Sequence, residues 1–416
     1  MQQTFEQKHH CQLSLEFIHN ESQATQDSGP HSRDPFERLH GHLDLSATHN
    51  DSEFPPVAET TTEPKPKAQR TSPEEELAYL LSEDFFDPLA EYDGPKVQLF
   101  DKKDVLAAIE TTEAGDLESQ SRNFRIIKKL IVHGRFRKLR QIDENFFFSL
   151  RALQDQFEQF GEVIQYIVRA AMLAKRRGDN VLRMTPILLI GEAGTGKTDF
   201  ATSLSKILRT AFKKIDMASA QNNYDLAGSS SFYVNSSPGK ILLLSMQEHE
   251  GECTGNPLVL LDELDKGCGT GGIAGSDPSA PLLSLLERHT ATRFVDLCID
   301  IPVDVSNYNF IATCNWPELI SAPIRSRFRE FQISLCDEVK KRIAIRITHQ
   351  LSDELDTRDL VFHPSAIDAL AALASPRLVK QHAADAIGSA LLANRDIITA
   401  ADIKLPKQPR RKIGFL

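Results

Sequence analysis

Residues 191–198 read GEAGTGKT, the pattern G-x-x-x-x-G-K-[ST], and they follow directly on the apolar run Ile187–Ile190. The chemistry suited to that spacing is anion binding. Gly191, Gly194 and Gly196 let the backbone wrap closely, so that its N–H groups can point at phosphate oxygens. Glu192, Ala193 and Thr195 complete the loop. Lys197 is placed to reach β- and γ-phosphates, and Thr198 to ligate Mg2+. ATP and Mg2+ are therefore the expected cofactors.

A second stretch, PLVLLDELDK at 257–266, is an apolar strand that ends in Asp262 and Glu263. A buried strand tolerates adjacent carboxylates poorly unless metal or chemistry needs them. Asp262 is read as a Mg2+ ligand and Glu263 as the group that polarises the attacking water. The plain alternative is a surface acid pair at a strand end. A third strand, NFIATCNW at 309–316, ends in Asn315, whose amide suits orienting that water or touching a γ-phosphate. SAPIRSRFREF follows, with Arg325, Arg327 and Arg329. A guanidinium supplied from a neighbouring subunit would neutralise transition-state charge, although such a cluster alone is more often a surface helix end. SPRLVKQ at 375–381 puts Arg377 near a helix start, where it can meet bound nucleotide.

These residues need a scaffold. The pattern is helical from about 143 to 178. Short apolar strands then alternate with helices to about 335, which predicts a parallel sheet covered on both faces, the α/β sandwich of P-loop NTPases. The expected layout is a disordered acidic, polar tail (1–72), short helices and a basic connector (73–142), the nucleotide-binding domain (143–335), a small all-helical domain (336–405) and a basic tail (406–416). Residues 1–120 hold 25 acids and 9 bases, and residues 121–416 hold 33 and 39. An acidic arm thus precedes a mildly basic body. The apolar runs are too short to span a bilayer. The six cysteines include no CxxC pair and read as reduced cytosolic thiols. With a polar N-terminus and no signal peptide expected, the chain reads as cytoplasmic and not membrane-bound. Residues 122–141 carry eight Lys or Arg and no acid. They suit nucleic acid or an acidic partner, but the apolar positions favour a helical connector whose cations are solvated or pair with the acidic arm.

The order of motifs resembles the AAA+ ATPases: phosphate loop, acidic strand end, polar strand end, arginine cluster, helical lid. Within them it is most similar to the ATPase module of Lon-type proteases, over about 155–405. The most specific stretches are YVNSSPGKI, NPLVLLDELDK, DPSAPLLSLLE, FIATCN and the run from Ala322 to Phe328. The resemblance implies that Asn315 is the first sensor, Arg327 the arginine finger, Arg377 the second sensor, and Tyr233 with Val234 the substrate-gripping pore loop. It implies an ATPase that assembles as a ring of six and remodels or threads protein substrates, with a separate protease or effector as an open question. The serine–lysine peptidase domain is not found before Leu416, so proteolysis by this chain is not expected. Asn235, Ser236 and Ser237 replace the small and Met residues usual after the pore aromatic, and the second pore loop reads KGCGTGGIAG. A nucleic-acid-dependent AAA+ ATPase that uses 122–141, and a nucleotide-switched assembly scaffold, stay open as alternatives.

Overall fold

Strands β1 (Ile187–Ile190), β2 (Phe212–Asp216), β3 (Leu258–Asp262), β4 (Asn309–Cys314) and β5 (Arg329–Gln332) form one sheet in the order β5-β1-β4-β3-β2. Every pairing is parallel. A computed structural model of the chain describes Asp87 and residues 89–113, 117–220, 223–231, 233, 235–268, 277–373 and 375–403. All of these belong to one compact unit, Gln69–Leu416. The expected disordered tail, the basic tail, Val234 and most of the second pore loop lie outside the described residues.

The central strands are continuous apolar runs because both of their faces are covered. Along β1 the side chains alternate between two cores. Leu188 and Ile190 pack with Ile127, Ile241 and Phe310, while Ile187 and Leu189 pack with Phe160, Ile164 and Phe200 on the other face. Helices α1 (Lys102–Glu113) and α2 (Leu117–Ile131) contribute Val105, Ile127 and Leu130 to the first core. Helices α3 (Phe146–Gln156), α4 (Gly161–Arg177) and α5 (Lys197–Leu208) cover the second. Phe160 and Phe200 stack there, with ring centroids 4.3 Å apart. This is the α/β sandwich expected of a P-loop protein.

The C-terminal part packs α6 (Asp337–Glu354), α7 (Pro364–Ala371) and α8 (Pro376–Leu392) around a core of its own. It is not wholly helical. Val361–Phe362 pairs in parallel with Ile397–Ile398, a ribbon too short for periodicity to reveal. Arg342 of α6 pairs with Glu158, and Arg346 donates to the carbonyls of Asp155 and Gln156, which ties the bundle to the segment before α4.

The basic stretch is helical only as far as Ile131, then turns at Gly134 (φ 76°) into the strand Phe136–Lys138. Arg137 in that strand is fully buried. Its guanidinium donates to the carbonyls of Leu130, His133, Gly134, Phe136 and Ser245. It thereby satisfies one acceptor in the last turn of α2, two in the turn after it, and one at the end of the helix Lys240–Ser245. Arg135, Lys138 and Arg140 pair with Asp87, Glu252 and Glu250. The expectation of solvated cations thus fails at Arg137, because unpaired helix-end carbonyls bind a guanidinium strongly. No helix among the described residues is long and apolar enough to cross a membrane.

Candidate nucleotide site

Parallel pairing brings the motifs to one edge. Ile190 lies opposite Cys314, and β4 pairs in turn with β3. The ends of β1, β3 and β4 thus deliver the 191–198 loop, Asp262 with Glu263, and Asn315 side by side.

The loop turns on two glycines in the left-handed region, Gly194 (φ 83°) and Gly196 (φ 88°), a conformation that costs glycine little. At Gly194 a Cβ would also stand 2.4 Å from that of Ser375, the N-cap residue of α8. Gly196 caps the start of α5, whose free N–H groups favour an anion. Gln159 donates to the Thr195 carbonyl at 3.1 Å and braces the loop from the segment before α4.

Lys197 is buried and reaches back over the loop. Its Nζ donates to the carbonyls of Gly191 (2.6 Å) and Glu192 (2.9 Å) and to Asn315 Oδ1 (3.0 Å). Burial holds its pKa below the ordinary lysine range, while Asp265, Asp262 and Glu263 oppose that shift. The loop lysine and the strand-end amide, 118 residues apart in sequence, therefore share one hydrogen bond.

Asp262 is the hub. Oδ1 accepts from Thr198 Oγ1 at 2.9 Å and Thr313 Oγ1 at 2.7 Å, and Oδ2 lies 2.7 Å from Lys214 Nζ. Burial works against its ionisation, but the Lys214 ammonium and the two hydroxyls outweigh burial and hold the carboxyl below its usual range. A hydroxyl beside a carboxylate is a hard-oxygen donor pair suited to Mg2+, and the Lys214 ammonium occupies a cation's place on Oδ2. Glu263 adopts φ 56°, uncommon for a side-chain-bearing residue. Its N–H donates to Thr313 Oγ1 at 2.9 Å, and its carboxylate lies 2.5 Å from Lys266 Nζ. Thr313 thus orients both carboxylate residues.

The sequence reading missed four contributors. Thr313 lies on β4 two residues before Asn315, which follows the strand's end. Asp265 belongs to the DELD run itself. It is fully buried, and its Oδ2 accepts the N–H groups of Asn315 and Trp316. Its Oδ1 has no partner. Lys214 arrives from the neighbouring strand and Gln159 from before α4, so neither carried a local signal.

The other predicted residues lie apart from this cluster. Arg327 pairs with Glu287 at 2.6 Å, Arg325 with Glu330, and Arg329 packs over the Tyr166 ring. Arg377 is exposed on the first turn of α8, two residues after the Ser375 that abuts Gly194. Tyr233 is 57% exposed, with its ring centroid 6.4 Å from that of Tyr224. Buried Asp296 accepts the N–H groups of Gly239 (2.7 Å), at the end of that loop, and of Cys298 (2.9 Å). Burial pushes its carboxyl up to about 6, against these hydrogen bonds. A cavity of about 420 Å³ opens at the opposite edge of the sheet, beside Thr210 and Asn309, and none of the site residues lines it.

The span 187–335, which begins at β1 and runs just past β5, matches the family model described as "ATPase family associated with various cellular activities (AAA)". That match covers about a third of the chain and makes residues 187–335 similar to an AAA ATPase domain. The chain is similar to a Lon protease of Clostridium beijerinckii, 28% identical over 237 residues that make up 56% of this chain and 29% of that protein. It is also similar to Lon protease 1 of Borreliella burgdorferi, 33% identical over 189 residues, 44% of this chain and 23% of that one. The chain thus spans less than a third of the length of these relatives. Among solved structures, the Thermotoga maritima RuvB Holliday junction branch migration motor is 18% identical with a TM-score of 0.40, over 64% of this chain and 70% of that one. The segment that matches the AAA model contains both strand ends and the Arg325–Arg329 cluster. Its match starts four residues before the loop and stops before the helical bundle.

Proposed function

We propose that this chain is an ATP-hydrolysing ring motor that remodels or threads protein substrates. The observation that carries the reading is the linked set Lys197–Asn315 and Thr198–Asp262–Thr313 at one edge of a parallel sheet, in a segment that matches the AAA family. In this reading the loop N–H groups and Lys197 bind the β- and γ-phosphates. Thr198 and Asp262 hold Mg2+, which supplies neutralisation of phosphate charge when bound. Asn315 is already hydrogen-bonded to Lys197, so an arriving γ-phosphate would be met by an ammonium and an amide together. Glu263 takes the proton of the attacking water once its carboxylate leaves Lys266. Asp265 fixes the backbone from which Asn315 projects. Arg377, on the first turn of α8, would approach the nucleotide from the side of Ser375, and Arg327 would serve the nucleotide of a neighbouring subunit.

Similarity to Lon proteins over roughly half of this chain supports a protein substrate and a ring, in which Tyr233 and Val234 would face the pore. A nucleic-acid reading draws less support, because Arg137 is spent on carbonyls and Arg135, Lys138 and Arg140 are paired with acids. The test is stimulation of ATPase activity by unfolded protein, by DNA and by RNA in parallel. Stimulation by unfolded protein alone is expected. Stimulation by nucleic acid alone, with steep salt dependence, would replace this reading with the alternative. Turnover that responds to none of the three would point to a nucleotide-switched scaffold.

A further inference from the structure

Arg327 is closed in by its own chain. Nη2 lies 2.6 Å from Glu287 Oε1, Nη1 donates to the carbonyl of Pro323, and Nε is buried without a partner. The side chain is only 21% exposed. The other Glu287 oxygen, Oε2, lies 3.5 Å from Nδ1 of His289, whose ring is exposed. Glu287 follows the short helix Leu282–Leu285, and Arg327 follows the short helix Ala322–Arg325. The pair therefore spans two helix ends 40 residues apart in sequence.

Two consequences follow from this geometry. The guanidinium charge is already neutralised by a carboxylate, so in this rotamer it has little left to offer an anion elsewhere. The enclosed rotamer also leaves one N–H unsatisfied, a desolvation penalty that a swung-out rotamer relieves. A phosphate carries more charge than a carboxylate and accepts a guanidinium bidentately, so it can displace Glu287.

We propose that Glu287 is a positioning residue that latches Arg327 within its own chain until a phosphate on a neighbouring subunit's nucleotide displaces the carboxylate. The inference rests on the reading of Arg327 as the residue that acts across a subunit boundary. It adds a competing anion inside the chain, which keeps turnover low until neighbour and nucleotide are both in place.

The test uses the full chain as wild type, Glu287→Gln, Glu287→Asp, Arg327→Ala and the Glu287→Gln/Arg327→Ala double variant. ATPase turnover per subunit is measured across protein concentration, with sedimentation at each point to fix the assembly state. Glu287→Gln should raise kcat about fivefold at equal assembly, with KM nearly unchanged. That factor corresponds to ~1 kcal/mol, the upper range for a partly exposed ion pair. Glu287→Asp should return kcat towards wild type, and the double variant should fall to the level of Arg327→Ala. A Glu287→Gln rate at or below wild type at equal assembly overturns the latch, as does a double variant that keeps the gain. If Arg327→Ala itself turns over normally, the trans reading of Arg327 fails and takes the latch with it. If Arg327→Ala is inactive and Glu287→Gln is no faster, only the latch fails.

Discussion

Asp262 and Asp296 are both buried aspartates, one at the nucleotide edge and one at the base of the loop that carries Tyr233, and they titrate in opposite directions. Burial disfavours the charge of each. Asp262 overcomes it with an ammonium and two hydroxyls. Asp296 has backbone N–H donors and is pushed up to about 6. Asp296 is also the deeper of the two, fully buried where Asp262 keeps slight exposure, so partners and depth together set the direction in which each carboxyl shifts. Asp262 is thereby held ionised, as the proposed Mg2+ ligand would need to be. The loop base serves as an anchor, for which a proton on Asp296 is tolerable.

The strongest way to break this contrast is to remove charge from the nucleotide edge. Lys197→Ala should abolish ATP binding in an equilibrium titration, since the phosphates lose their nearest cation. Retained affinity would mean that the loop does not bind phosphate as described. Arg327→Ala should bind ATP yet turn it over about a thousandfold more slowly. Mixing it with Lys197→Ala should restore part of the activity, because a mixed interface can hold one intact site. No rescue in confirmed mixed assemblies would remove the trans role. Glu263→Gln should keep binding and lose about a hundredfold in turnover, the scale of a missing general base. A normal rate would exonerate Glu263.

The loop base should respond in stability. A carboxyl whose folded pKa is raised from 3.8 to about 6 binds its proton more tightly in the folded chain. The unfolding free energy should therefore fall as pH rises from about 4 to 6, by up to ~3 kcal/mol from this group. Asp296→Asn should flatten that slope in denaturant titrations at stepped pH. An unchanged slope would show that Asp296 titrates alike in the folded and unfolded chain. The smallest effect belongs to Tyr233→Ala, which should shift stability by no more than ~0.5 kcal/mol because the side chain is exposed. It should instead remove stimulation of ATPase by unfolded protein. Lost stability with intact stimulation would make Tyr233 a packing residue.

How far the sequence carried depended on where each contact partner lay. The 191–198 loop is contiguous, so its place between a strand and a helix could be read directly. Asp262 and Asn315 could be read because a polar residue at the end of a buried strand needs a reason. Lys214 and Glu287 could not, since each meets its partner only after the sheet and short helices bring distant segments together. Arg137 was misread because a basic run on paper does not reveal which cation will cap a helix from inside the core. The parallel α/β architecture was legible from alternation alone, whereas the two-residue ribbon in the C-terminal bundle left no period to find.

Ser375 stands so close to Gly194 that the loop has no room for a side chain there. The first turn of α8 is therefore a wall of the nucleotide pocket, and Arg342 and Arg346 fasten the same bundle to the segment whose Gln159 braces the loop. If, under the proposed function, nucleotide in this pocket also moves the bundle, occupancy and bundle orientation are linked, and linkage is reciprocal. Whatever holds the bundle closed will tighten nucleotide binding by the same factor by which nucleotide favours closure. In the proposed ring motor, a force on the bundle from a neighbouring subunit or a threaded substrate would be felt at the phosphates as a change in affinity.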